Sequence, residues 1–324
     1  MLQLLPASII GRVVLGGLAA TALGIGAVAL WRRFRSDNDA ADGARLVQER
    51  QPGTVRVMTF NIKAAHGVEL LGDATPAERE RNLRAIASYI ERADPDVVLL
   101  QEVEQGYDRG GTYAMYDRLR ELLHANDGAM SEPRIGAAII TRNGYTIADR
   151  PDGSNQVHSD AVRGSSLMEA AIRPPADGTP FTVVNAHTRP DNVADMAKRV
   201  GAIRNGSLDP VFPRRVIVGG DFNTRTSNVA HALAGQGSFT DALTRAGVPM
   251  DDWLRRMTSP TPFGNTPWTV PDRDQIHLSD GFGRVTLAQV QDPRYPDGPM
   301  AGAPLSDHRP LVADVSLVEP PDAR

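Results

Sequence analysis

From about residue 54 onward, short apolar blocks alternate between the period of a strand and the period of a helix. Val55–Ile62 has the β-branched, alternating pattern of a strand and brings up Asn61. Thr75-Pro76-Ala77-Glu78 has the form of a capping box with Pro at the first helical position. Leu83, Ile86, Ala87 and Ile90 then recur at helical spacing until Asp94-Pro95. Val97–Leu100 is a continuous apolar strand that delivers Gln101 and Glu102. The pattern predicts a short helix over 116–124 with Leu119, Leu122 and Leu123. Strands follow over Gly136–Thr141, Ser166–Ile172 and Phe181–Asn185, the last leading to His187. Val193, Met196, Ala197, Val200 and Ile203 predict a helix ahead of a strand at Val216. Segment 247–272, rich in Pro, Thr and Trp and without a period, predicts a long loop of the kind that often carries function. Strands over Gln275–Ser279 and Arg284–Val290, a loop over Asp292–Pro304 and a strand over Leu311–Leu317 complete the pattern. There is no internal repeat, and the alternation predicts one α/β domain over 54–318 with a tail at 319–324.

The N-terminal pattern differs. Val13–Leu30 is an uncharged apolar run of 18 residues between Arg12 and the cluster Trp31, Arg32, Arg33, Arg35. That length reaches the lower bound for a bilayer span, and Trp with arginines suits its end. Ala27-Val28-Ala29 has the small-x-small form of a signal-peptide cleavage site, so export is the rival reading. A buried core helix fits the terminal place and basic flanks less well. Residues 1–35 are therefore expected to target a membrane, as an anchor or a cleaved signal, with the side left open. Ser36–Gly53 is polar and reads as a flexible linker.

Composition removes some chemistries. The 324 residues contain no cysteine, which excludes disulfides, thiolate catalysis and zinc–sulfur sites. Of 35 basic residues only Lys63 and Lys198 are lysines. Four arginines and no acid lie in residues 1–35, leaving 31 basic against 39 acidic residues beyond, a balance of −8. Such a body does not promise general affinity for polyanions, and it does not exclude a nuclease, since a divalent metal can bridge the repulsion locally.

Polar residues stand where the predicted strands end. After the strand at Val216, Gly219-Gly220 predicts a sharp turn with its backbone open to a ligand. Asp221 and Asn223 stand two apart and would share a side in an extended segment, where a carboxylate and an amide can hold a water and a phosphate oxygen. Asn61, Glu102, His187, Asp274, Asp307 and His308 occupy comparable places. Singly, each has an ordinary explanation: a turn cap, a solvated acid, a satisfied core histidine. Jointly they offer oxygen ligands for a hard cation and two histidines for proton transfer.

Six blocks in order carry a resemblance. They are Met58-Thr59-Phe60-Asn61-Ile62, Leu99-Leu100-Gln101-Glu102-Val103 and Val184-Asn185-Ala186-His187-Thr188. Gly219-Gly220-Asp221-Phe222-Asn223, Asp274-Gln275-Ile276-His277-Leu278-Ser279 and Ser306-Asp307-His308-Arg309-Pro310 follow. Together they resemble the endonuclease/exonuclease/phosphatase superfamily over about 54–318. The resemblance implies a four-layer α-β-β-α sandwich of two packed mixed sheets, with the site at one end. It also implies phosphoester hydrolysis by water activated near Mg²⁺ or Mn²⁺. By position, Asn61, Glu102 and Asp307 are the metal residues and Asp221 handles the attacking water. Asn223 holds a phosphoryl oxygen, and His187 and His308, the latter oriented by Asp274, act on protons or developing charge. Gln275 and His277 depart from the family pattern, as does Gly136-Ala137-Ala138 where Gly-Asn-Ala is usual; these changes are expected in the substrate-facing wall. Asp108 is a candidate partner for His187.

The expected activity is a membrane-targeted, metal-dependent phosphodiesterase acting on nucleic acid or on a phospholipid or inositol phosphate head group. The alternatives are an exported nuclease of low specificity, a lipid or inositol phosphate hydrolase, and a catalytically dead membrane-tethered binding module. The last would have lost part of the set Glu102, Asp221, Asn223, Asp307 and His308, all of which are present. No obligate protein partner is evident.

Overall fold

The strand patterns close into two sheets in the computed structural model, which describes residues 50–65, 75–105, 114–131, 135–149, 157–162, 165–176, 178–258, 272–296 and 301–318. The apolar run Val13–Leu30, most of the linker, Asp108 and the tail 319–324 lie outside these residues. Among the described residues no helix is long and apolar enough to cross a membrane.

In chain order the strands are β1 (Thr54–Asn61), β2 (Val97–Glu104), β3 (Asp127–Met130), β4 (Ile135–Thr141), β5 (Thr146–Ile147), β6 (Val157–Val162) and β7 (Ser165–Arg173). They continue with β8 (Phe181–His187), β9 (Val216–Asp221), β10 (Phe239–Asp241), β11 (Asp274–Ser279), β12 (Val285–Val290) and β13 (Leu311–Ser316). The helices are α1 (Pro76–Ala93), α2 (Met115–Leu122), α3 (Val193–Asn205), α4 (Thr226–Ala234), α5 (Ala242–Arg245) and α6 (Trp253–Arg256). One sheet has the order β12-β13-β1-β2-β4-β3. The other runs β10-β11-β9-β8-β7-β5, with β6 also on β7. In each sheet one pair is parallel, β1 with β2 and β8 with β9. On the far side of β1 and β9 stand the antiparallel strands β13 and β11. Both sheets are therefore mixed. Parallel strands finish at the end where their antiparallel neighbours begin, which is how strand ends and strand starts from distant parts of the sequence come together.

Alternation decides what each sheet face buries. Val55, Val57, Val97, Leu99, Ala137 and Ile139 of the first sheet form one apolar core with Met168, Ala170, Phe181, Val183, Ile217 and Ile276 of the second. Each such side chain contributes roughly 1.5–3 kcal/mol on leaving water. The alternate face of the second sheet packs Val184, Val218 and Phe222 on α3 and α4 through Met196, Val200, Ile203, Val229 and Leu233. On the first sheet the Phe60 ring meets Tyr89 of α1 edge to face at 6.1 Å. The result is the expected order of helix, sheet, sheet and helix.

Local signals worked where the chain satisfies its own ends. Thr75 caps α1 in a reciprocal box with Glu78, and Pro76 follows it. Elements capped from afar were not legible. The backbone N–H and hydroxyl of Thr226, which opens α4, both donate to Asp272 Oδ2, at 3.0 and 2.7 Å. In β3, Asp127-Gly128 reads locally as a turn, yet it pairs with β4. The long loop expected over 247–272 contains α6, whose Arg256 is buried and bonded to Asp241 Oδ2 at 2.8 Å and to the Val248 carbonyl at 2.7 Å.

Gly219 and Gly220 correct another expectation. They do not turn; both lie within β9. A Cβ on Gly219 would stand 2.7 Å from Leu99 Cδ1 of the facing sheet, and one on Gly220, at φ 150°, would stand 1.8 Å from the Ala186 carbonyl oxygen. The glycines serve close packing under the site. Gly220→Ala is expected to cost roughly 3 kcal/mol or more through strain and overpacking, read as a lowered denaturation midpoint.

Candidate active site

The site is the polar end of the faces that form the core. Along β1 the inward positions run Val55, Val57, Thr59, Asn61; along β8 they run Phe181, Val183, Asn185, His187. On β9 the series is Ile217, Gly219, Asp221, and on β11, read backwards, Leu278, Ile276, Asp274. A layer of buried amides separates apolar from charged. Gln101 Nε2 donates to Asn185 Oδ1 across the sheets at 2.7 Å, and Asn185 Nδ2 donates to the carbonyls of Leu100 and Ala138 at 2.9 and 2.8 Å. These two amides were in the sequence blocks but carried no role there. Their buried donors and acceptors find partners in each other, the strand backbones and the Thr59 hydroxyl, so they fix the two sheets in register beneath the site.

Glu102 reaches the site through an irregularity. Strict alternation would send it with Val98 and Leu100 to the helix-covered face. Instead the pairing of β2 with β4 shifts register between Leu100 and Val103, and Glu102 adopts φ 55°. Such a bulge re-aims a side chain. Glu102 Oε1 accepts from Asn61 Nδ2 at 2.9 Å, and the same amide donates to Asp221 Oδ2 at 3.1 Å.

Asp221 is the hub. Its Oδ1 accepts from the Asn223 backbone N–H at 2.9 Å, and its Oδ2 lies 3.8 Å from His187 Nε2 and 3.7 Å from His308 Nε2. Asn223 is not extended; at φ 49° it folds back on Asp221, and its Nδ2 donates to the Thr188 carbonyl at 3.1 Å. The expectation that the two share a side by alternation is thus replaced by a local turn. His308 Nδ1 pairs with Asp274 Oδ2 at 2.8 Å. Ser306 joins the last block to the first: its hydroxyl donates to the Asn61 carbonyl at 2.8 Å and accepts from the His308 N–H at 3.2 Å.

All eight expected residues therefore converge, seven of them in two tiers and the half-buried Asn223 against Asp221. Asn61, Asp221, Asp274 and His308 form a buried floor. Glu102, His187 and Asp307 stand at the mouth, with side chains 32%, 27% and 25% exposed. His187 Nε2 has Asp221 Oδ2 at 3.8 Å and Glu102 Oε1 at 4.0 Å. Gln275 and His277 are not in a substrate-facing wall. Both are buried on the opposite face of β11, where His277 Nε2 bonds Gln275 Oε1 and Gln275 Nε2 holds the Thr224 and Asp272 carbonyls, each at 2.8 Å. Ala137 and Ala138 are likewise interior.

One residue escaped the sequence reading. After Asn61 the chain enters a turn in which Lys63, Ala64 and Ala65 have φ 48°, 48° and 54°. Left-handed conformations of non-glycine residues cost roughly 1–3 kcal/mol each and persist only where the surroundings hold them. Here Asn61 Oδ1 accepts from the Lys63 N–H at 3.0 Å, and Asn82 Nδ2 donates to the Ala65 carbonyl at 2.9 Å. The turn brings Lys63 Nζ 3.3 Å from Asp307 Oδ2.

Charges in the floor support one another. Burial works against a charged His308, but Asp274 and Asp221 outweigh it and push the imidazole up to about 10. Burial pushes Asp274 up to about 6 despite the histidine beside it. Burial also works to raise Asp221, yet His308 and His187 hold it below the usual carboxylate range. The pair is therefore an imidazolium–carboxylate at neutral pH. Replacing Asp274 by Asn is expected to lower the His308 pKa, read from the imidazole carbon shifts by NMR.

Two groups of ligand atoms compete for a cation. Asp221, Asp274 and His308 bring one atom each within 4.8 Å of one another. A metal there would require a neutral imidazole, whereas His308 lies between two carboxylates that favour its charged form. Asn61, Glu102 and Asp307 offer oxygens alone, two of them at the open mouth, which is the donor set of a hard divalent ion.

Known proteins share the fold. The sequence profile of the Endonuclease/Exonuclease/phosphatase family matches residues 58–308. TDP2 from Caenorhabditis elegans superposes with a TM-score of 0.59 at 16% identity, covering 83% of this chain and 100% of that one. TDP2 from D. rerio, solved with a single-strand DNA product, gives 0.58 at 16% identity over 81% and 98% of the two chains. An endonuclease/exonuclease/phosphatase from Bacteroides vulgatus gives 0.53 at 21% identity over 81% and 98%. No curated protein matches. The family profile spans the first block through the last and the neighbours share the fold: the chain belongs to the endonuclease/exonuclease/phosphatase family.

Proposed function

We propose that this protein is a divalent-metal-dependent phosphodiesterase. The observation that carries the reading is the convergence of an oxygen-only ligand set, a buried carboxylate hub and a carboxylate–histidine pair at one end of the sandwich. Glu102, Asp307 and the free lone pair of Asn61 Oδ1 would hold Mg²⁺ or Mn²⁺, which supplies Lewis-acid stabilisation of charge on the phosphoryl oxygens. Asp221, kept ionised by the two histidines, would position the attacking water, with Oδ2 3.8 and 3.7 Å from the His187 and His308 Nε2 atoms. Asn223 has spent one amide N–H on Thr188 and keeps a second for a phosphoryl oxygen. His308, oriented and kept protonated by Asp274, presents its Nε2–H to developing negative charge or to the leaving oxygen, and His187 presents its own Nε2 from the exposed side.

Nucleic acid is the substrate class we favour. The support is the zebrafish TDP2 structure with its single-strand DNA product, a property of that protein which agrees with an open, cation-dependent mouth. Hydrolysis of plasmid DNA and single-stranded oligonucleotides, but not of sphingomyelin or inositol phosphates, is the expected outcome of a substrate panel; the reverse pattern would replace nucleic acid with a head group. We further propose that Val13–Leu30 targets the chain to a membrane. Retention of full-length protein in carbonate-washed membranes is expected, and a mature N-terminus at Leu30 in an exported fraction would make the segment a signal peptide.

A further inference from the structure

We propose that Lys63 is a resident cation of the site: it neutralises Asp307 before a divalent ion arrives, limits the centre to one such ion, and afterwards carries charge from a non-bridging phosphoryl oxygen. The inference rests on the phosphodiesterase reading above and adds to it a residue and a metal count.

Three observations carry it. First, Lys63 Nζ lies 3.3 Å from Asp307 Oδ2 and is shielded from solvent, yet makes no hydrogen bond to any described residue. An ammonium has three N–H donors. A shielded one beside a single carboxylate has donors to spare for an incoming anion. Second, its place is built by the site itself. The strained backbone at Lys63, Ala64 and Ala65 begins with the Lys63 N–H on Asn61 Oδ1, and Asn61 is also the residue that ties Glu102 to Asp221. Strain of this kind marks positions held for function more often than for stability. Third, arginine supplies nearly all the positive charge of this chain; Lys198, the other lysine, sits exposed on α3 against Asp195 at 2.9 Å. A guanidinium is a broad planar fork, whereas an ammonium is a compact point charge with rotatable donors. The compact group suits a crowded carboxylate mouth where a metal and a tetrahedral phosphoryl group must also fit.

The charge argument fixes the metal count. With the ammonium beside Oδ2, Asp307 would offer a first divalent ion its other oxygen, and a second ion beside Oδ2 would meet a positive charge. Shielding by a unit charge at about 4 Å weakens the hold of a nearby divalent ion by roughly tenfold or more.

Manganese titration of the full chain, following free Mn²⁺ by electron paramagnetic resonance, tests this without reference to turnover. One Mn²⁺ per wild-type chain is expected. Lys63→Gln should bind Mn²⁺ at least about tenfold more tightly, or take up a second ion, while hydrolysing bis-para-nitrophenyl phosphate more slowly. Lys63→Arg keeps the charge and should retain wild-type stoichiometry, so the set remains decisive if the Gln variant misfolds. Two ions per wild-type chain, or wild-type Mn²⁺ affinity together with wild-type stoichiometry in a folded Lys63→Gln, would overturn the inference and leave the phosphodiesterase reading standing. Failure of the wild type to bind Mn²⁺ at all would overturn both.

Discussion

Glu102→Gln is expected to abolish metal-dependent turnover while leaving the fold intact. The two side chains have the same shape, and a Gln Oε1 can still accept the Asn61 Nδ2 bond now made at 2.9 Å. Glu102 is partly exposed at the mouth, so removing its charge leaves no orphan in the interior. What would be lost is the charge that the proposed function gives to a hard cation. Lewis-acid stabilisation of a phosphoryl group is worth several kcal/mol, about 10³-fold or more in rate. Mn²⁺ affinity should fall in parallel, and excess metal should restore only part of the rate. Full activity at ordinary metal concentration would move the cation elsewhere, and the trio Asp221, Asp274 and His308 would then be the place to look.

The second large effect concerns the buried pair. His308→Ala should lower kcat by ~10²–10⁴-fold, the usual worth of a positioned proton-transfer group. Asp274→Asn keeps the size of the side chain but replaces an acceptor of the Nδ1–H with an amide that can favour the other tautomer, so it should also cost rate. Because Asp274 acts through His308 Nδ1 at 2.8 Å, the double variant should be little slower than His308→Ala alone. Strictly multiplicative losses would mean that the two side chains work independently. Stability must be read alongside, since His308→Ala strands the Asp274 carboxylate in the interior, a change of the kind that costs about 3–5 kcal/mol. The double variant removes that stranded charge and should recover part of the loss, which gives a thermal-denaturation signature in addition to the kinetic one.

The sequence made the core faces legible because alternation carries its own address. Val55, Val57, Thr59 and Asn61 are inward by period, and the last of them was singled out without coordinates. The same period shows why Gln275 and His277 are interior: they flank Asp274 and Ile276 on the opposite face, and an expectation built on family position alone had placed them in the wall. Glu102 was found from its block although alternation points it the wrong way; the bulge that redirects it depends on pairing with β4, which no local pattern displays. The Gly219-Gly220 pair looked like a turn because its real cause, Leu99 and the Ala186 carbonyl lying too near for any Cβ, belongs to tertiary packing. Lys63 left a single trace, its rarity in an arginine-rich chain, and its meaning depends on a left-handed turn that the sequence does not announce.

The most direct measurement is hydrolysis of bis-para-nitrophenyl phosphate by the full chain in magnesium, after EDTA, and after magnesium is restored, with circular dichroism recorded at each stage. The account predicts release of para-nitrophenol that stops with the chelator and returns with the metal, under an unchanged folded spectrum, because Glu102 and Asp307 sit at the mouth and the buried Asn61 keeps its hydrogen bonds to Asp221 and the Lys63 N–H without an ion. Release that persists in EDTA, or a folded signal that disappears with the metal, would contradict it.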